Sequence, residues 1–191
     1  MSSILLTPPA VEPVPLADAK AYLRVEHDAD DDVISGLVAA ARAQIEAQTR
    51  RALITQTWQL RRDSWPADGR LEVVPAPLRE IVAARVYDSG GAPHAVDIQA
   101  FTADVAAAPA VIGFVPWSLP VPGRTIAGIE IDVEAGYGDA PEDVPPSLRR
   151  AVELLVAHWY EHRGLIAAGQ SVAVLPASVA ALIAPYRVLS L

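Results

Sequence analysis

Two histidines four residues apart, His158 and His162, enclose Trp159-Tyr160-Glu161 and form an H-x-x-E-H pattern. On a helix such a pair shares one face, and the glutamate beside it is placed to polarise a metal-bound water. The corresponding chemistry is zinc-assisted hydrolysis. A centre of that kind needs a third ligand, normally a later acidic residue, and Glu161 is the last acid of the chain. A metal-dependent hydrolase on His158, Glu161 and His162 is therefore an alternative reading. The preferred one makes the histidines the edge of a helix stripe, with no metal and no cofactor.

A second cluster, His27-Asp28-Ala29-Asp30-Asp31-Asp32, carries enough oxygen for a calcium or magnesium loop. The calcium-loop template wants acids at alternate positions, a central glycine and a closing glutamate, and Gly36 and Glu46 fall in the wrong places. Aspartates before an alanine-rich run instead predict a helix cap. Ser64, Ser89, Ser118 and Ser171 lack a Gly-x-Ser-x-Gly elbow, and Gly90-Gly91 is followed by no Gly-Lys-Ser/Thr. Arg61-Arg62 and Arg149-Arg150 predict solvated faces or salt-bridge partners. No catalytic constellation emerges.

The elements that would position these residues fall into an α+β pattern. A proline-rich N-terminal arm (1–15) precedes a helical part (16–55) with a short helix from Leu16 to Arg24. A long helix follows to about Arg51, with Val33, Leu37, Ala41, Ile45 and Thr49 near helical spacing, and Ile34, Val38 and Ala41 beside them. A β-rich insertion (56–138) shows strands at Trp58–Arg61, Leu71–Val74, Ile81–Tyr87, Val111–Val115 and Ile129–Glu134. The last alternates strictly, which predicts one wet face. Asp88-Ser89-Gly90-Gly91 marks a hairpin turn, and Pro116 to Gly123 a proline-rich loop. A second helical part (139–165) carries the stripe Leu148, Val152, Leu155 and Trp159. Leu37, Ile45, Leu155 and Trp159 are the expected structural residues.

The stretch 166–191 ends the chain, and from Gly164 onward Arg187 is its one charged residue. A last helical turn is expected from Ala177 to Ala184. A tail this apolar folds back on its own core or is buried by another chain. Its length would allow a membrane span, but Gly169, Gln170, Ser171, Pro176 and Ser178 interrupt it, and no aromatic or basic belt flanks both ends.

Composition narrows the function. The 191 residues are 52% hydrophobic and 20% charged, enough for a proper core. The net charge of −8, with Lys20 the single lysine, argues against a broad grip on nucleic acid. The absence of cysteine removes disulfides, thiolate catalysis and cysteine-based zinc sites. The start carries no positively charged n-region, so no signal peptide is expected.

Several stretches together resemble the head–tail connector, or adaptor, proteins of long-tailed bacteriophages and of phage-derived gene transfer agents. They are Leu16-Ala-Asp-Ala-Lys20-Ala-Tyr-Leu-Arg24-Val, Asp31-Asp32-Val-Ile34 with Ala40-Ala41-Arg42 and Ile45-Glu46, and Thr49-Arg50-Arg51-Ala52-Leu53 to Trp58. In the second half they are Ala135-Gly136-Tyr137-Gly138, Pro145-Pro146-Ser-Leu148-Arg with Ala151, Trp159-Tyr160-Glu161-His162-Arg163, Leu175-Pro176 and Pro185-Tyr186-Arg187-Val188. The segment between Asp63 and Thr125 is the least matched.

The resemblance implies a structural adaptor, not an enzyme. Such proteins are assembled in the bacterial cytoplasm and placed at the head–tail junction of a virion or phage-like particle. They form a homo-oligomeric ring, commonly dodecameric, under the portal protein, and dock a stopper or tail-completion protein. DNA passes through without specific binding, and no membrane is involved. On this reading Val172, Val174, Leu175, Leu182, Ile183, Tyr186, Arg187, Val188, Leu189 and Leu191 meet the portal or a neighbouring copy. A further alternative is a module whose β insertion binds a ligand or host surface.

Overall fold

The chain divides into two units: Thr55–Tyr137 with the N-terminal stretch to Ala10 in one, Val11–Ile54 with Gly138–Arg187 in the other. The computed structural model describes residues 2–162 and 175–188. Among them are four α-helices and two antiparallel sheets, an α+β fold.

The first unit is built from β1 (Ser2–Thr7), β2 (Gln56–Arg62), β3 (Arg70–Val73), β4 (Leu78–Tyr87), β5 (Pro93–Val96), β6 (Phe101–Asp104), β7 (Ala110–Phe114) and β8 (Ile129–Ala135). The larger sheet runs β1-β2-β8-β4-β5 and the smaller β3-β7-β6. The opening segment is thus an edge strand, not a free arm. It pairs Ser2 with Arg61 and Leu5 with Trp58, which gives its backbone groups partners. β4 and β5 form the hairpin expected around Gly90-Gly91.

Leu60, Leu71, Val73, Ile112, Ile129, Ile131 and Val133 belong to one apolar cluster between the sheets. Trp65, Phe101 and Phe114 pack at its edge with ring centroids 5.1–6.1 Å apart. Gln56 stands opposite Ala135 and Arg62 opposite Ile129, so β2 and β8 pair along their whole length.

The alternation of β8 predicts a wet face, and this is overturned. Glu130 and Asp132 are only 5% and 6% exposed. Glu130 accepts from Tyr87 Oη at 2.7 Å and pairs with Arg61 Nη2 at 3.0 Å. Asp132 pairs with Arg85 Nη2 at 2.7 Å and accepts from Gln59 Nε2 at 3.2 Å. Arg61 Nε in turn donates to Gln59 Oε1 at 2.9 Å, closing one network across three strands. Long side chains from β2 and β4 cover the acids because β8 is central. The hydrogen bond to Glu130 holds the Tyr87 hydroxyl above its usual pKa, and that to Asp132 does the same for Arg85.

The second unit holds α1 (Leu16–Leu23), α2 (Asp31–Thr49), α3 (Pro146–Glu161) and α4 (Ala177–Ile183). Helix α2 buries Ile34, Val38, Ala41, Ile45 and Thr49; α3 buries Leu148, Ala151, Val152, Leu155 and Val156. These helices pack together, and α4 packs on both. Of the two overlapping stripes expected on α2, the one beginning at Ile34 faces inward. Val33 is exposed and Leu37 half-buried, whereas Ile45 is fully buried as expected. Leu155 is likewise buried. Trp159 is only half-buried, because Ala151 and Val156 turn α3 so that the stripe drifts off its last turn.

The acidic cluster forms an ion-pair node. Lys20 Nζ lies 2.6 Å from Asp28 Oδ1 and 2.7 Å from Asp31 Oδ1, tying α1 to the start of α2. Asp30 occupies the N-cap position, but its carboxylate makes no capping bond and accepts from Tyr160 Oη on α3 at 2.7 Å. Tyr160 is therefore engaged within its own chain. Arg42 joins Glu12 and Glu46 at 2.8 Å each, and Glu46 accepts from the Leu53 amide at 2.9 Å.

Lys20 holds the Asp28 carboxyl below its ordinary range through their hydrogen bond. An acid depressed in this way contributes stability above its unfolded pKa of about 3.9 and loses it as pH falls through the folded value. Lys20→Ala should lower the melting temperature at pH 7, and the gap from wild type should shrink below about pH 4; a gap that persists in acid means that packing, not charge, is responsible. At Gly138 a Cβ would overlap the Cβ and carboxylate of Asp143, whose Oδ2 accepts from the Ala140 amide at 3.0 Å. Gly138→Ala should destabilise the protein by about 1–3 kcal/mol in urea denaturation.

Candidate interaction surfaces

The H-x-x-E-H residues lie at the end of α3. The rings of His158 and His162 pack at 4.7 Å with a 40° tilt, and His162 Nδ1 lies 2.8 Å from the His158 carbonyl oxygen. Glu161 is exposed. Among the described residues no group of three or more histidine, cysteine or acidic side chains converges to hold a metal. The pair caps a helix end and has no described third ligand.

Other nucleophile and base combinations fare no better. Ser3 and Ser118 hydroxyls donate to the carbonyls of Val74 and Val115. His94 pairs with the turn residue Asp88 at 3.0 Å. Two clefts of about 430 and 520 Å³ border Asp63 and Ser64. Arginines, prolines and Trp65 line them, and no described histidine does. Shape without convergent acid–base groups is a surface, not a catalytic centre.

The C-terminal segment has structure of its own. Helix α4 and a 3-10 turn at Ala184–Tyr186 follow Pro176. Arg51 Nε donates to the Tyr186 carbonyl at 2.6 Å, and Arg187 Nη2 reaches Gln48 Oε1 at 3.4 Å. Val179 and Ile183 are fully buried and Val188 is 5% exposed. Ile183 and Val188, expected to meet a partner, are therefore covered by the chain's own atoms. Leu175, Leu182 and Tyr186 are half-buried and Arg187 is exposed, so these keep a free surface. Val172, Val174, Leu189 and Leu191 lie outside the described residues.

The most exposed large apolar residues were not singled out by the sequence. Trp117, Val121 and Ile126 are 88%, 86% and 76% exposed, all within one loop of the β unit. The loop is braced from several sides. Leu119 is buried, Trp65 Nε1 donates to the Pro120 carbonyl at 2.9 Å, and the Gly123 amide donates to Tyr87 at 2.8 Å. Ala127 N donates to Asp63 Oδ1 at 2.7 Å, and the Arg124 guanidinium lies 4.5 Å above the Tyr87 ring. The readable signal was a run of apolar residues between prolines that fits neither strand nor helix periodicity.

No described helix is long and apolar enough to cross a membrane. Comparison with known proteins places the chain. A family model described as phage gp6-like head-tail connector protein matches residues 14–86 and 116–187. The unmatched 87–115 lie inside the segment expected to match least. No curated protein matches the chain.

Among solved structures, a chain from the neck of an empty gene transfer agent particle, computed with C6 symmetry, is 28% identical with a TM-score of 0.81. A chain from the virion of the native gene transfer agent particle is 27% identical with a TM-score of 0.82. A third, from the neck of the native particle computed with C12 symmetry, is 27% identical with a TM-score of 0.73. Each similarity covers 100% of this chain and 97% of the other, so the β unit is shared as well. With three quarters of its length under the family model, the chain belongs to the phage gp6-like head–tail connector family, whose solved relatives are structural components of particles.

Proposed function

We propose that the protein forms a closed ring at the head–tail junction of a phage or phage-like particle, under the portal, where it lengthens the DNA channel and receives the stopper or tail. The observation that carries this reading is full-length likeness to neck chains from particles computed with sixfold and twelvefold symmetry. A ring of identical chains uses head-to-tail contacts that close on themselves.

Charge supports a sliding channel. The chain carries −8, and many of its cations already serve carboxylates: Lys20, Arg42, Arg61, Arg85, Arg149 and Arg150 all sit in ion pairs. Phosphate binding draws its affinity from cations free to displace counterions, so DNA meets a surface that repels it and does not hold it. The purified protein should produce no shift of double-stranded DNA at physiological salt. A nanomolar complex would sink the sliding-channel reading.

The C-terminal segment contacts the portal or a neighbouring copy through Leu182, Tyr186 and Arg187, with the residues beyond Val188. Truncation after Pro176 is a poor probe, because it removes the buried Val179 and Ile183 and opens a cavity in the helical unit. Surface changes are cleaner. The combined variant Leu182→Ser, Arg187→Glu should keep the wild-type circular dichroism and lose at least tenfold in portal capture. Native mass measurement of the protein alone and with its portal should give a ring of fixed stoichiometry in the mixture. Monomers throughout would rule out the ring.

A further inference from the structure

A braced loop on the β unit projects apolar side chains, and a groove on the helical unit is lined largely by apolar ones. Trp117, Val121 and Ile126 stand out from the loop, and an indole at 88% exposure is a large apolar surface left in water. The loop's fixed geometry means little ordering is needed when it docks. The groove, about 220 Å³, is lined by Glu12, Val14, Pro15, Leu16, Ser35 and Val38. That is below the roughly 300–1,000 Å³ of small-molecule pockets and suits one inserted side chain.

Charge agrees with shape. Arg124 contacts the Tyr87 ring and the Ile126 carbonyl, and among the described residues it has no carboxylate partner. On the receiving side Glu12 is taken up by Arg42, whereas the exposed Asp32 stands one helical turn before Ser35 on α2. A cation on the projecting side thus has an exposed acid, Asp32, beside the receiving groove.

We propose that the loop carrying Trp117 is a knob that inserts into the groove between Val14 and Val38 of a second copy of this chain. Because knob and groove are different patches, the contact is heterologous. Each copy offers one of each, and repetition closes a ring. The inference rests on the ring reading above and adds the residues that would join one copy to the next. A buried tryptophan at the centre of such a contact would dominate its affinity.

The test uses full-length protein under the condition in which wild-type mass measurement gives a ring, alone or with the portal. Trp117→Ala has a groove but no knob, and Ser35→Trp has a knob but a filled groove. Each alone should need at least tenfold more protein to assemble. Mixed, they should form one-to-one dimers that grow no further, since only one productive contact exists between them. The chain has no native cysteine, so S118C combined with S35C provides a second readout that leaves Trp117 in place. Bismaleimide treatment should give a ladder of covalent oligomers up to the ring, while either single variant stops at dimers. Normal rings from W117A, or a wild-type-sized ring whose double-cysteine form gives no ladder, would overturn the proposal with the ring reading intact. A wild-type chain that never forms rings would remove both.

Discussion

The antiparallel pairing of β2 with β8 is the constraint on which the architecture depends. It sets Gln56 against Ala135, so the polypeptide enters and leaves the β unit at adjacent positions. In the helical unit Ile54 and Gly138 meet in a parallel bridge. Closure at these points lets α2 and α3, far apart in sequence, bury their stripes against each other. The entropy of closing so long an excursion grows only with the logarithm of its length, about 0.6 kcal/mol per doubling, so a large insertion is tolerated.

A central strand that closes a sheet must satisfy every polar group it carries. β8 places Ile129, Ile131 and Val133 in the apolar layer and sends Glu130 and Asp132 to the other face. There Arg61, Arg85, Gln59 and Tyr87 reach over them, so the buried charges are paired and hydrogen-bonded. A network of this kind pins register, since a one-residue slip would bring the acids into the apolar layer. It also commits two arginines that could otherwise hold phosphate.

The helical unit follows similar logic with smaller parts. Ala41 and Ala151 on the facing stripes allow close approach, and Lys20, Asp28, Asp31, Asp30 and Tyr160 tie three helices at one end. The C-terminal helix completes this core, with Val179 and Ile183 inside it. Apolar character at the end of the chain is therefore divided between internal packing and a smaller exposed remainder. On the β unit the most exposed apolar side chains, Trp117, Val121 and Ile126, share one braced loop.

Much of this was legible in residue order alone. Periodicity located α1 to α4 and five strands, because a stripe at helical spacing and an alternation of two are local properties of the chain. Motif order led to the connector family, and the missing third ligand weighed against a metal centre. Strands β1, β5 and β6 were not legible, since they are short or edge elements stabilised by pairing more than by their own pattern. Which of the two α2 stripes leads inward over the first turns, the sheltering of Glu130 and Asp132, and the inward turn of Ile183 and Val188 were decided only by tertiary structure. Sequence spacing says which side chains share a face. Which face becomes interior depends on what distant residues bring against it.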